Sequence, residues 1–360
     1  MFDWQKKGAK NLPSSNRNLK IFMFSLIGII VIGIVAMIFF FTPQNNSNVL
    51  PISTCGDGSF YNTCSLDKPY YCYRGILTEN VLSCGCPDVL TRQGIDCISK
   101  YQSAPRPVNL TYVLDGTNGS ENLLIYGGLV TYLSTLPESI LYTDGQQPLR
   151  ADFKLMRIDE PNQDALIMPL VKDIENLAPH DKTDQVRIAV SLVQNIPWGS
   201  SGKTVSFGGN SVDYSRYPYQ VLYDNQGLCG EKSELLATIL KDLGYGVALF
   251  YYPQENHEAV GIKCPVENSL NGTGYCFVET SGPAIISDSS IIYAGGITLT
   301  SSPEIIILSN GISLPEGMYE YGDARTLTSL RSRGSLDPLS SFEFRQLSSR
   351  YGLSKVYNIT

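Results

Sequence analysis

At 360 residues, 43% of them apolar, the chain has room for an anchor plus one or two folded domains and is too apolar to be a disordered polymer. Its net charge of −7 is unevenly spread: residues 1–20 hold Lys6, Lys7, Lys10, Arg17 and Lys20 against Asp3, so everything beyond them is more acidic than the total. An acidic body excludes nucleic acid as a partner, because phosphates demand basic patches.

Residues 21–42 form an apolar run without a charge, about 33 Å long as a helix and enough to cross a hydrocarbon core of roughly 30 Å. It ends in FFFTP, without the small residues of a signal-cleavage site. Basic residues precede it and none follows until Lys68, so the pattern predicts a single-pass membrane protein with residues 1–20 cytoplasmic and the rest extracytoplasmic.

A polar tether, 43–51, leads to a segment at 52–99 holding Cys55, Cys64, Cys72, Cys84, Cys86 and Cys97 among Gly, Pro and turn formers. With few aliphatics it needs covalent staples, and three disulfides are expected. Zinc fits less well, for the segment lacks both a CxxC pair and a histidine. The pairing is not readable from sequence. A linker and first strand follow at 100–124.

From there strand-like and helical patterns alternate, which predicts an α+β fold. NLTYVL reads as a strand, Leu123, Leu124, Tyr126, Val130 and Leu133 as a helix, and DFKLMRI as a strand. Helices are expected at 165–177 and 183–195, the second closed by Pro197. Cys229 opens another, with a stripe of Leu235, Leu236, Ile239, Leu240 and Leu243, ended by Gly244. Antiparallel strands are expected at 247–252, 258–263, 275–279 and 304–308. The Ser- and Arg-rich stretch from about 328 reads as a weakly ordered or peripheral tail.

Of nine cysteines, six crowd into the first segment, and Cys264 and Cys276 flank a turn-rich stretch and can bridge a hairpin. Cys229 is left over, an unpaired thiol in an oxidising compartment. A helix N-terminus favours its thiolate. The base must come from the chain's two histidines, His180 and His257, or from another residue type. His180 sits in a polar loop, PHDKTD, whereas His257 heads a strand-like run, HEAVGIK. Glu279, at the end of YCFVE, could orient the imidazole.

The stretches VQNIPW, RYPYQVLYDNQGLCGEKSELLATILKDLGYGVALF, NHEAVGI and GYCFVETS resemble the transglutaminase-like superfamily in its prokaryotic, membrane-anchored branch, over about 126–309. That resemblance implies a papain-like/transglutaminase-like core with a nucleophile helix packed on an antiparallel sheet at 125–310, leaving 311–360 as a C-terminal extension. It implies nucleophile Cys229, base His257 and orienting acid Glu279, with Glu in place of the commoner Asp, and Trp198 as an oxyanion donor through its indole N–H. No calcium-ligand run, metal site or cofactor is expected. The patterns CGDGSFYNTC and SCGCP resemble small Cys-rich segments beside the anchors of archaeal surface proteins. WGSSGKT is not a nucleotide-binding loop, because Pro197 occupies the first glycine position and no strand precedes it.

The expectation is a membrane-anchored thiol enzyme cleaving an amide of an extracellular protein or peptide substrate through a Cys229 thioester. The alternatives are an amine-accepting transglutaminase and a non-catalytic binding or envelope module on the same fold.

Overall fold

The computed structural model describes residues 54–353 apart from 138, 144, 208–209, 291–297 and 334. The basic tail and the spanning run predicted at 21–42 lie outside the described residues. Among those described, no helix is long and apolar enough to cross a membrane.

In the cysteine segment β1 (Tyr70–Tyr73) and β2 (Ile76–Glu79) form a hairpin, followed by one helical turn, α1 (Val81–Cys84), and the short pair β3 (Thr91–Gln93) and β4 (Asp96–Ile98). Arg74 and Gly75 close the first hairpin at φ 52° and 90°, the conformation a two-residue hairpin turn needs. Three disulfides hold the segment, Cys55–Cys72, Cys64–Cys84 and Cys86–Cys97. Its own core cluster is small, made of Cys55, Tyr70, Cys72 and Leu77, so covalent bonds supplement apolar burial.

β5 (Pro105–Leu114) and β6 (Thr117–Tyr126) make a long antiparallel ladder closed by Asp115 and Gly116, both at positive φ. The helix read at 123–133 is therefore split, with β6 running through Tyr126 and α2 (Gly127–Leu133) following it. Leu123 and Ile125 are buried while Leu124 between them is 57% exposed, which is the period of a strand.

DFKLMRI, read as a strand, is instead part of helix α3 (Arg150–Ile158). Helical spacing puts Lys154 and Arg157 on one face, where they reach the two carboxylate oxygens of Glu234 at 2.8 and 3.0 Å. A strand would point them to opposite sides.

α4 (Pro161–Leu177) starts with Pro161 at its first position and the Glu160 carboxylate accepting from Gln163 N–H. α5 (Lys182–Asn195) is capped by Asp181, which accepts from the N–H groups of Thr183 and Asp184. A small hairpin of β7 (Thr204–Phe207) and β8 (Asn210–Asp213) and the short α6 (Pro218–Asp224) lead into α7 (Cys229–Asp242). Then come β9 (Val247–Tyr252), β10 (His257–Lys263), β11 (Tyr275–Val278) and β12 (Glu304–Ser309), all antiparallel in the order β11-β10-β9-β12.

α7 packs on β9 and β10 and against α5. Its Leu235, Leu236, Ile239 and Leu240 are fully buried, worth roughly 2 kcal/mol each in transfer free energy. They share one core with Val186, Ala189, Val190 and Val193 of α5 and Val247, Leu249, Val260 and Ile262 of the sheet. Cys264–Cys276 joins the ends of β10 and β11. The fold is thus mixed α and β, with the Cys229 helix lying across an antiparallel sheet.

The chain from about 328 is not a loose tail. α8 (Tyr319–Arg331) and α9 (Pro338–Tyr351) bury Ala324, Leu327, Leu330 and Leu347 with Ile285 and Leu353, and Arg331 pairs with buried Asp288 at 2.7 Å. The Ser and Arg content masks apolar residues spaced three apart.

The cysteine segment is docked on α4 within one compact unit. Asn176 bonds the backbone N–H and C=O of Leu77 at 2.8 and 3.0 Å. Lys172 reaches Asp67 at 2.6 Å, and Gln185 donates to the Gly56 carbonyl at 3.0 Å. Gly56 is required here, for an added Cβ would lie 2.3 Å from the Glu175 carbonyl oxygen.

Candidate active site

Cys229 is the first residue of α7 and partly buried, and it is the free cysteine once the four bridges are formed. Its carbonyl accepts from Thr280 Oγ1 at 3.2 Å, and Thr280 is in turn 2.9 Å from Ser233 Oγ, which donates to the Glu258 carbonyl at 3.1 Å. Hydroxyls from α7 and the end of β11 thereby fix the first turn of the helix to the sheet.

His257 opens β10, opposite Tyr252 of β9. Continuing the β10–β11 register one step beyond Val260↔Val278 places Glu279 opposite Ala259, on the same sheet face as His257. The carboxylate is 2.9 Å from His257 Nε2, and its other oxygen accepts from Ser281 N–H at 2.7 Å. With Nε2 engaged by Glu279, Nδ1 is the nitrogen available to Cys229, whose side chain hydrogen-bonds the imidazole.

Burial disfavours the imidazolium, but hydrogen bonds to Cys229 and Glu279 and the negative charge of both outweigh it, and the His257 pKa is pushed up to about 10. Burial likewise opposes ionisation of Glu279, which is nevertheless held below the usual carboxylate range by His257 and Ser281. Both shifts favour an imidazolium held by the Glu279 carboxylate.

The backbone of Trp198 lies beside the segment that leads into Cys229. It bridges to Gly227 two residues before Cys229, with Gly199 N–H donating to the Gly227 carbonyl at 3.2 Å and Gly227 N–H to the Pro197 carbonyl at 3.1 Å. The indole is 65% exposed, so it is not a core residue. His180 is exposed between α4 and α5.

Four supporting groups were missed in the sequence. Glu231 accepts from Leu228 N–H at 2.8 Å and pairs with buried Arg216 at 3.0 Å. Arg216 also donates to the carbonyls of Gly199 and Ser200, fixing the far side of the Trp198 segment. Lys232 donates to the Ile196 carbonyl at 2.6 Å, fixing its near side. Lys154 bridges Glu234 and Glu258 at 2.8 Å each, next to Gly230. Lys232 and Glu231 follow Cys229 within one turn, and that spacing was the available hint. Among the described residues no group of three or more His, Cys, Asp or Glu side chains is arranged to hold a metal ion.

A lone thiol at a helix start, an imidazole at a strand start and a carboxylate on the neighbouring strand define the class of site, a thiol–imidazole–carboxylate triad. No family model and no curated protein matches the chain. Among solved structures it is similar to Legionella pneumophila LapG, at 11% identity and a TM-score of 0.23 over 38% of this chain and 75% of that one. The calcium-bound form of the same protein is matched at 10% identity and a TM-score of 0.25, over 50% of this chain and 99% of that one. Likenesses this loose carry no weight in assigning an activity, which rests on the triad itself.

Proposed function

We propose that this protein is a membrane-anchored, extracytoplasmic thiol enzyme of transglutaminase-like type that cleaves an amide of a protein or peptide through an acyl-thioester. The observation that carries the reading is the contact of the one unbridged sulfur, Cys229, with an imidazole whose other nitrogen is 2.9 Å from buried Glu279. The four disulfides and the apolar run at 21–42 support export and anchoring.

The Cys229 thiolate attacks the amide carbon, and the negative oxygen is met by the Cys229 backbone N–H, free at the helix start, and by the Trp198 indole N–H. His257 gives its proton to the leaving nitrogen as the C–N bond breaks, and Glu279 holds the imidazole in the required orientation. Water then attacks the thioester while His257 takes its proton, and the C–S bond breaks to return the thiolate. An amine entering in place of water makes the same site a transferase. Water is always present, so hydrolysis is the favoured outcome.

The test is alkylation of the full chain with iodoacetamide at pH 6. A peptide thiol of pKa about 8.5 is ionised there to roughly 0.3%. Cys229 is expected to react at least about 30-fold faster, the gain in thiolate being partly offset by lower intrinsic nucleophilicity. Labelling no faster than a peptide thiol would leave a non-catalytic module on this fold. A Cys229→Ala chain that kept its amidase activity would remove the nucleophile assignment.

A further inference from the structure

Lys232 lies one helical turn beyond Cys229 on α7 and is fully buried. Its ammonium donates to the Ile196 carbonyl at 2.6 Å and to the carbonyls of Gln194 and Ser281 at 3.3 Å each. Those carbonyls belong to the two segments that flank the triad. Ile196 and Pro197 lead into Trp198, and Ser281 is the residue whose N–H grips Glu279.

The other buried cations of this body are matched by carboxylates: Arg157 by Glu234, Lys172 by Glu175 and Arg216 by Glu231. Lys232 has backbone carbonyls instead, which satisfy its N–H groups without placing a carboxylate in direct contact with the ammonium. Folding alone gives no reason for such a cation, since an apolar side chain of the same length would fill the space without the desolvation cost. Gly227 makes room for the lysine stem, for a Cβ there would lie 3.0 Å from Lys232 Cγ.

We infer that Lys232 is a positioning residue of the triad, tying the Trp198 segment and the Ser281 turn to the nucleophile helix and supplying the positive charge that favours the Cys229 thiolate. This rests on the acyl-transfer reading of the site.

The charges acting on Lys232 are Cys229 on its own helix and Glu279 from the strand beyond it, with His257 paired to both; the segment after α5 presents carbonyls. Burial brings the lysine down to about 7, against the pull of Glu279 and Cys229, so the ammonium is present throughout the acid range.

The experiment is the rate of iodoacetamide alkylation of Cys229 against pH, from 4 to 9, in the full chain and in Lys232→Met. Losing a nearby positive charge should move the acid inflection up by about one unit or more, lowering the rate at pH 5 about tenfold while the alkaline plateau is kept. A purely structural lysine would lower the melting temperature and leave the inflection in place, and that result overturns the inference. If the unmodified chain is itself unreactive at pH 6, it is the acyl-transfer reading that fails. A second measurement needs no functional variant: the Lys232 amine titration followed by NMR before and after Cys229 is capped with iodoacetamide. Removing the thiolate should shift the amine midpoint downward, and an unmoved midpoint refutes the coupling.

Discussion

Replacing Glu279 by glutamine keeps the shape of the side chain and removes its charge from a buried contact 2.9 Å from His257 Nε2. With charge centres about 4 Å apart and an effective dielectric near 20, the pair is worth about 4 kcal/mol, or roughly three pKa units. The glutamine amide retains a hydrogen bond, so the expected fall in the His257 midpoint is about two units, from about 10. The chain has two histidines, and His180 is exposed and remote in sequence, so ring-proton NMR titration reads His257 against an internal reference. A raised folded-state pKa contributes stability that is fully present below the unfolded value near 6.5. That stability is lost as pH rises through about 10, so Glu279→Gln should lose most stability at pH 6 and least above pH 10. A His257 that titrates near 6.5 in the unaltered chain, or that is unmoved by the substitution, refutes this account of the triad.

Two further substitutions test the fold around the site. Burial and neighbouring Asp164 push Asp242 up to about 8, so its carboxyl contributes stability below about pH 4 that is lost as pH rises through 8. Asp242→Asn should therefore raise the urea midpoint at pH 8.5 and leave it little changed at pH 4; equal shifts at both would contradict a carboxyl held protonated by burial. Gly56→Ala forces a Cβ into the Glu175 carbonyl, which is backbone and cannot swing away. A loss of about 1–3 kcal/mol is expected in thermal or urea unfolding, and an unchanged melting temperature would show that the cysteine segment does not dock on α4 in solution.

The sheet strands and the Cys229 helix were legible because period and punctuation agreed: the stripe from Leu235 to Leu243 ends at Gly244, which takes φ 89°. Cysteine arithmetic isolated Cys229 for the same reason, leaving a number that does not pair. Reading failed where a tertiary partner decided the matter. DFKLMRI has the alternation of a strand, but Glu234, far along the chain, selects the helix that aims Lys154 and Arg157 at it. At Leu123 and Ile125 the deciding partner is β5, brought alongside by the turn at Asp115 and Gly116. Lys232 was missed because a lysine on a helix is ordinarily solvated, and its carbonyl partners come from two segments distant from it in the sequence.

The attachment of the cysteine segment to α4 has a mechanical consequence. Because Asn176 and Lys172 of α4 and Gln185 of α5 grip it at three points, the cysteine segment keeps a constant bearing on the helices that carry the core. A pull applied at residue 54 would therefore be passed to the body through those three contacts.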